Sequence, residues 1–217
     1  MLREVASYDW FTILSVICLI SIAFAKALHS LRFNDFLMVI TNSKYLKIYS
    51  RDPKFIDSFD SFLFVNFAIS LSIFCYLAFS NIVTQLQFEL ISFFKLLLLI
   101  SIILVVKVLL ERLIGSLFEI DALMDAYLFQ KTTFKNYCGL LLFGFNLILI
   151  YGDSSSKFVI FLMLFTIIGI ILIGFFTSYK NHQKLLNFNF FYFLLYLCAL
   201  EIGPYIIVYK VIRDYNP

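Results

Sequence analysis

The chain has 217 residues, of which 62% are hydrophobic, 19% aromatic and only 14% charged, and its mean hydropathy is +0.95. A soluble domain carries about 25% charged residues and is at most half apolar, so a water-soluble globular protein and a disordered chain are both excluded. The net charge of +3 speaks to orientation in a membrane and not to nucleic acid.

The first apolar run, near residues 10–28, has the ~20 residues that a helix needs to cross the hydrocarbon. Ala23-Phe24-Ala25 mimics a signal-cleavage site. The residues before the run carry Glu4 and Asp9 against Arg3 alone, whereas a signal n-region is positive, so a retained span is expected.

The next segment, Leu31 to Tyr49, repeats Phe33, Phe36, Leu37, Ile40, Tyr45 and Ile48 near helical spacing. This predicts a helix lying on an anionic leaflet, with Arg32, Lys44, Lys47, Arg51 and Lys54 as membrane-surface basic residues. Asp52-Pro53 then ends it, because the residue before proline avoids the helical region.

Further apolar runs lie near 62–80, 90–110, 137–151, 158–177 and 188–209. The fourth is short and is expected to begin earlier, toward Phe134. The prediction is an all-α polytopic bundle of about six spans, with five as the alternative, forming one domain over residues 1–217. After the third span, Leu110 to Tyr127 keeps a helical apolar stripe beside Glu111, Glu119, Asp121 and Asp125. It reads as an interfacial extension of that span, or else as a docking face for a cytoplasmic partner. No sustained alternation of period two is present, which excludes a transmembrane β-barrel.

Orientation follows from the basic residues. The segment after span one holds Arg32, Lys44, Lys47, Arg51 and Lys54, the one after span three Arg112, Lys131 and Lys135, and the one after span five Lys180 and Lys184. The opposite side holds Arg3, Lys157, Lys210 and Arg213. The positive-inside rule therefore puts the first set in the cytoplasm and both termini on the other side of the membrane.

Ionisable groups within spans are expensive, at least ~2.5–3.5 kcal/mol at a span centre. Lys95, Lys107 and Glu201 qualify. By helical rise, Lys95, Asn146 and Glu201 fall at similar depths in the outer half of the bundle, which predicts an intramembrane polar cluster. Lys107 and Glu111 are spaced to pair on one helix face. Gly203-Pro204 should kink the last span, since proline removes a backbone hydrogen bond.

The cysteines Cys18, Cys75, Cys138 and Cys198 are scattered through apolar runs, and His29 and His182 stand singly. Neither set has the spacing of a disulfide framework or metal site. No hydrolase, nucleotide or metalloprotease motif is present. No catalytic residue, metal ligand or cofactor is expected.

The last run, from Phe193 through Leu200-Glu201-Ile202-Gly203-Pro204 to Lys210, resembles the closing motif of an uncharacterised family of Bacteroidota membrane proteins, domain of unknown function 4271. The resemblance extends to most of the chain and implies an inner-membrane location, the termini then being periplasmic, with no activity attached. The expected role is a non-catalytic subunit or scaffold of a Bacteroidota envelope complex, such as the secretion or gliding machinery. Its partners would be the lipid bilayer and other membrane proteins or further copies of itself. The alternative is a small transporter or lipid-handling protein using Lys95, Asn146 and Glu201.

Overall fold

A computed structural model describes residues 9–42, 44–50, 57–82, 89–118, 121–152 and 156–188, and the statements below refer to these. They form seven helices: α1 (Asp9–Leu28), α2 (Ser30–Leu37), α3 (Lys44–Tyr49), α4 (Ser58–Ile82), α5 (Leu90–Leu117), α6 (Asp121–Tyr151) and α7 (Ser156–Phe188). Five of them, α1, α4, α5, α6 and α7, contain a stretch long and apolar enough to cross a membrane. They coincide with the first five predicted spans, the fourth beginning well before residue 137, at Met124. The sixth, near 188–209, falls almost wholly outside the described residues.

α4 is the central helix, packing most extensively on α6 and α1. Its register against α6 is constant: Asn136 Nδ2 donates to Asp60 Oδ1 at 3.3 Å, and two to three turns further on Asn146 Nδ2 donates to the Ser70 carbonyl at 2.8 Å. Between these two hydrogen bonds Gly139 lies directly against Phe67. A Cβ there would stand 2.7 Å from Phe67 Cβ and 2.8 Å from its Cα. A small residue at a helix crossing lets two backbones approach, which in lipid is a main source of helix association.

Two apolar cores result. One, running from the end of the bundle where α2 and α3 lie through its middle, gathers Phe36, Tyr45, Phe59, Leu63, Leu142 and Met163. The other, toward the opposite end, holds Phe11, Cys18, Ile73, Phe93 and Ile150. We refer to the end that carries α2 and α3 as the basic end.

Two expectations are corrected at that end. Residues 31–49 are not one helix on a leaflet surface. The chain breaks at His29 (φ −135°, ψ 56°), runs as α2, turns where Thr41 and Asn42 N–H groups donate to the Met38 carbonyl, and returns as α3. Phe33, Phe36, Val39, Tyr45 and Leu46 are buried beneath this cap. The apolar stripe exists as expected, but its larger gain comes from covering the aromatic end of α4 and α6 rather than lipid.

Likewise, 110–127 extends span three only in part, as far as Leu117. α5 stops at Leu117, and α6 starts at Asp121 and folds back, so that Met124 packs on Gly115. Met124, Tyr127 and Leu128 are buried in the resulting hairpin.

Candidate functional site

The buried charges collect at the basic end. Just before α4 stands Asp57, whose Oδ1 accepts the Phe59 N–H at 3.3 Å and whose carbonyl accepts the Ser61 N–H at 2.9 Å. This is the N-cap arrangement, with a short acidic side chain satisfying an orphan amide of the first turn. Three residues on, Asp60 lies on the same face of the helix.

Arg32 reaches this face from α2. Its Nη1 donates to Asp57 Oδ2, its Nη2 to Asp60 Oδ2 at 2.9 Å, and its Nε to the Tyr45 hydroxyl at 3.2 Å. The guanidinium also lies 4.6 Å from the centroid of the Phe59 ring and 5.0 Å from that of Tyr49, within cation–π range. A planar fork of donors suits this double carboxylate, where an ammonium would not. Arg32 was expected as a membrane-surface basic residue. It is instead turned inward, with only 13% of its side chain exposed, because Asp57, Asp60 and the aromatic rings offer partners that an open leaflet surface does not.

The electrostatics follow from this geometry. Burial works against the Arg32 charge, but Tyr45, Asp57 and Asp60 outweigh it and hold the guanidinium above its ordinary range. Burial dominates at Tyr45 and pushes its phenol up. Asp57 is opposed by burial too, yet Arg32, assisted by the Phe59 N–H and His29, brings its carboxyl below the usual value.

A group whose folded-state pKa is depressed contributes stability above its unfolded value of about 3.9 and loses it as pH falls through the folded one. The solubilised protein should therefore show a level unfolding temperature from neutral pH to about pH 5 and a decline below about pH 4. Asp57→Asn should flatten part of that acid limb. An unaltered limb in this variant would remove Asp57 from the account.

A second group of charges lies on the α5–α6 hairpin. Glu111, fully buried, accepts from Lys131 Nζ at 2.5 Å. This partner lies on α6, across the hairpin, a contact that the i, i+4 spacing within α5 could not show. Arg112 meets Asp125 more loosely, at 3.4 Å.

The remaining expected site residues are distributed as follows. Lys44 is exposed and pairs with Asp35 at 3.2 Å, and Lys47 is exposed. Arg51, Lys54, Glu201, Gly203 and Pro204 lie outside the described residues. Asn146 is buried and bonded to Ser70, whereas Lys95 is exposed on α5. The two do not touch. Depth along the membrane normal follows from helical rise, but depth says nothing of azimuth, and Lys95 faces outward.

Asp57, Asp60 and Asn136 were missed. The available signal was the pair of carboxylates three residues apart at the start of an apolar run.

A family model described as Domain of unknown function (DUF4271) matches residues 11–212, nearly the whole chain. The chain belongs to this family. The matched region of the DUF4271 domain contains the entire arginine cage and the α5–α6 hairpin. No curated protein and no solved structure matches the chain.

Proposed function

We propose that this DUF4271 chain is a non-catalytic subunit of an inner-membrane complex, docking to other membrane proteins through α5. The observation that carries this reading is the packing of that helix. Only 6% of the spanning stretch of α5 is buried, against 50% for α4 and 44% for α6. Leu98, Leu99, Ile102, Ile103 and Val106 are all exposed on it.

Lipid alone would accommodate those apolar residues, but Lys95 stands among them, about five residues inside the span and exposed. A cation there must either reach the headgroups or meet an acidic group from another chain. The basic end is assigned to the cytoplasm by the lysine and arginine bias of its loops. The family resemblance makes a Bacteroidota envelope assembly, such as secretion or gliding machinery, the candidate complex. Transport through Lys95, Asn146 and Glu201 has less support, since Asn146 Nδ2 is bonded to the Ser70 carbonyl and Lys95 does not meet Asn146.

Site-specific photo-crosslinking in cells tests the proposal. A crosslinker at Leu99 or Ile102 should give one discrete protein adduct, weakened by Lys95→Glu, and the same probe at Leu63, fully buried in α4, should give none. Lipid adducts alone at both α5 positions would overturn it.

A further inference from the structure

A cleft of about 510 Å³ opens between α4, α5 and α6 at the basic end. Its volume is within the ~300–1,000 Å³ range of small-molecule sites. The lining changes character with depth. Toward the basic end of the helices its lining holds Asp57, Asp60, Arg112 and Asp125, and further along them Phe64, Val65, Leu104 and Val105.

The membrane frame gives these depths a meaning. A crossing of ~20 residues counted from Leu90 ends close to residue 110, so Arg112 sits at headgroup level. Leu104 lies eight residues deeper on the same helix, or about 12 Å toward the bilayer centre. The cleft thus has the polarity profile of an amphiphile standing upright in one leaflet.

The charges select the headgroup. Arg112 and Asp125 form a loose pair with side chains 28% and 35% exposed, unlike the closed Arg32 cage. A headgroup carrying both signs can exchange this pairing for two charge-matched ones, phosphate on the guanidinium and ammonium on the carboxylate. An anionic lipid is disfavoured, because Arg112 is already matched by Asp125, and Asp57 and Asp60, paired with Arg32, bring no spare positive charge to the cleft.

We propose that this cleft binds a zwitterionic aminophospholipid, its phosphate on Arg112, its ammonium on Asp125 and one acyl chain against Leu104, Val105, Phe64 and Val65. The site uses the side of α5 that turns toward α4 and α6 and not Leu98, Leu99, Ile102, Ile103 or Val106, so its failure would leave the subunit reading standing.

The test uses the full-length protein, purified in mild detergent, delipidated, and titrated with phosphatidylethanolamine, phosphatidylglycerol or phosphatidylcholine of equal chain length under native mass spectrometry. Phosphatidylethanolamine should be retained about tenfold better than phosphatidylglycerol and better than phosphatidylcholine, whose methylated head cannot donate to Asp125. Asp125→Asn should erase the preference, and Ser61→Trp, at an exposed position on the cleft wall, should abolish occupancy while leaving the unfolding temperature near that of the parent. Equal retention of phosphatidylglycerol by the unmodified protein overturns the proposal without reference to any variant. So does undiminished preference in Asp125→Asn, or a dimer dispersed by Ser61→Trp, which would make a second copy the occupant.

Discussion

Replacing Arg32 by methionine is expected to destabilise the protein by about 3–5 kcal/mol, the usual consequence of removing one partner from a buried ionic group. The methionine roughly keeps the volume of the side chain, so the loss is electrostatic. Asp57 and Asp60 would be left facing one another across one helical turn, with side chains only 18% and 22% exposed and no guanidinium between them. Asn136 would still donate to Asp60, but a neutral amide does not offset a carboxylate charge.

Two further variants separate charge from shape. Arg32→Lys should recover part of the loss, since an ammonium keeps the charge but cannot reach Asp57, Asp60 and Tyr45 together. The triple change Arg32→Met, Asp57→Asn, Asp60→Asn should lie closer to the parent than Arg32→Met alone, because it leaves no unpaired charge. Thermal unfolding in a fixed detergent measures all three. A triple variant less stable than the single one would show that the cage is held by its aromatic rings and not by its ion pairs.

Gly139→Leu should prevent the bundle from forming, and Gly139→Ala should weaken it by about 1–3 kcal/mol or more. The added Cβ would lie 2.8 Å from Phe67 Cα, a backbone atom that no rotamer change can withdraw, so α4 and α6 would have to separate. Separation would stretch both interhelical hydrogen bonds that fix their register, Asn136 to Asp60 and Asn146 to Ser70. Phe67→Ala should rescue Gly139→Ala only in part, because truncating the ring leaves the clash with the α4 backbone in place. Folded yield and unfolding temperature report this directly. Gly144, which has no neighbour within 4 Å of its would-be Cβ, is the control: Gly144→Ala should leave both unchanged.

These two positions show how the sequence could and could not be read. Spans were legible because crossing a membrane requires long apolar runs: α1, α4, α5 and α7 begin near the limits that composition set, though α5 and α7 run on past them to Leu117 and Phe188. The costly residues were legible one at a time. Asn146 stands out in the sequence, and it is buried and bonded across a helix interface. Lys95 stands out too, but depth alone does not identify its partner, and the structure turns it outward. Arg32 is recognisable as basic and yet lies on the other surface from the one expected, because an arginine beside aromatic residues has the same local pattern whether the rings face lipid or a protein core.

The sequence by itself determined that this is a multi-pass helical membrane protein, since hydropathy and the backbone's need for internal hydrogen bonds in lipid leave few other solutions. Membership of its family was legible as well, from the residues of its last apolar run. Only the tertiary structure decided that residues 31–49 fold into a cap, that the α5–α6 hairpin closes at Gly115 and Met124, and that Arg32 bridges Asp57 and Asp60. Partners 25 and 28 residues apart meet because helices α2 and α4 are brought together at one end of the bundle, and which faces meet is set by side-chain packing across the whole assembly, not by any local period.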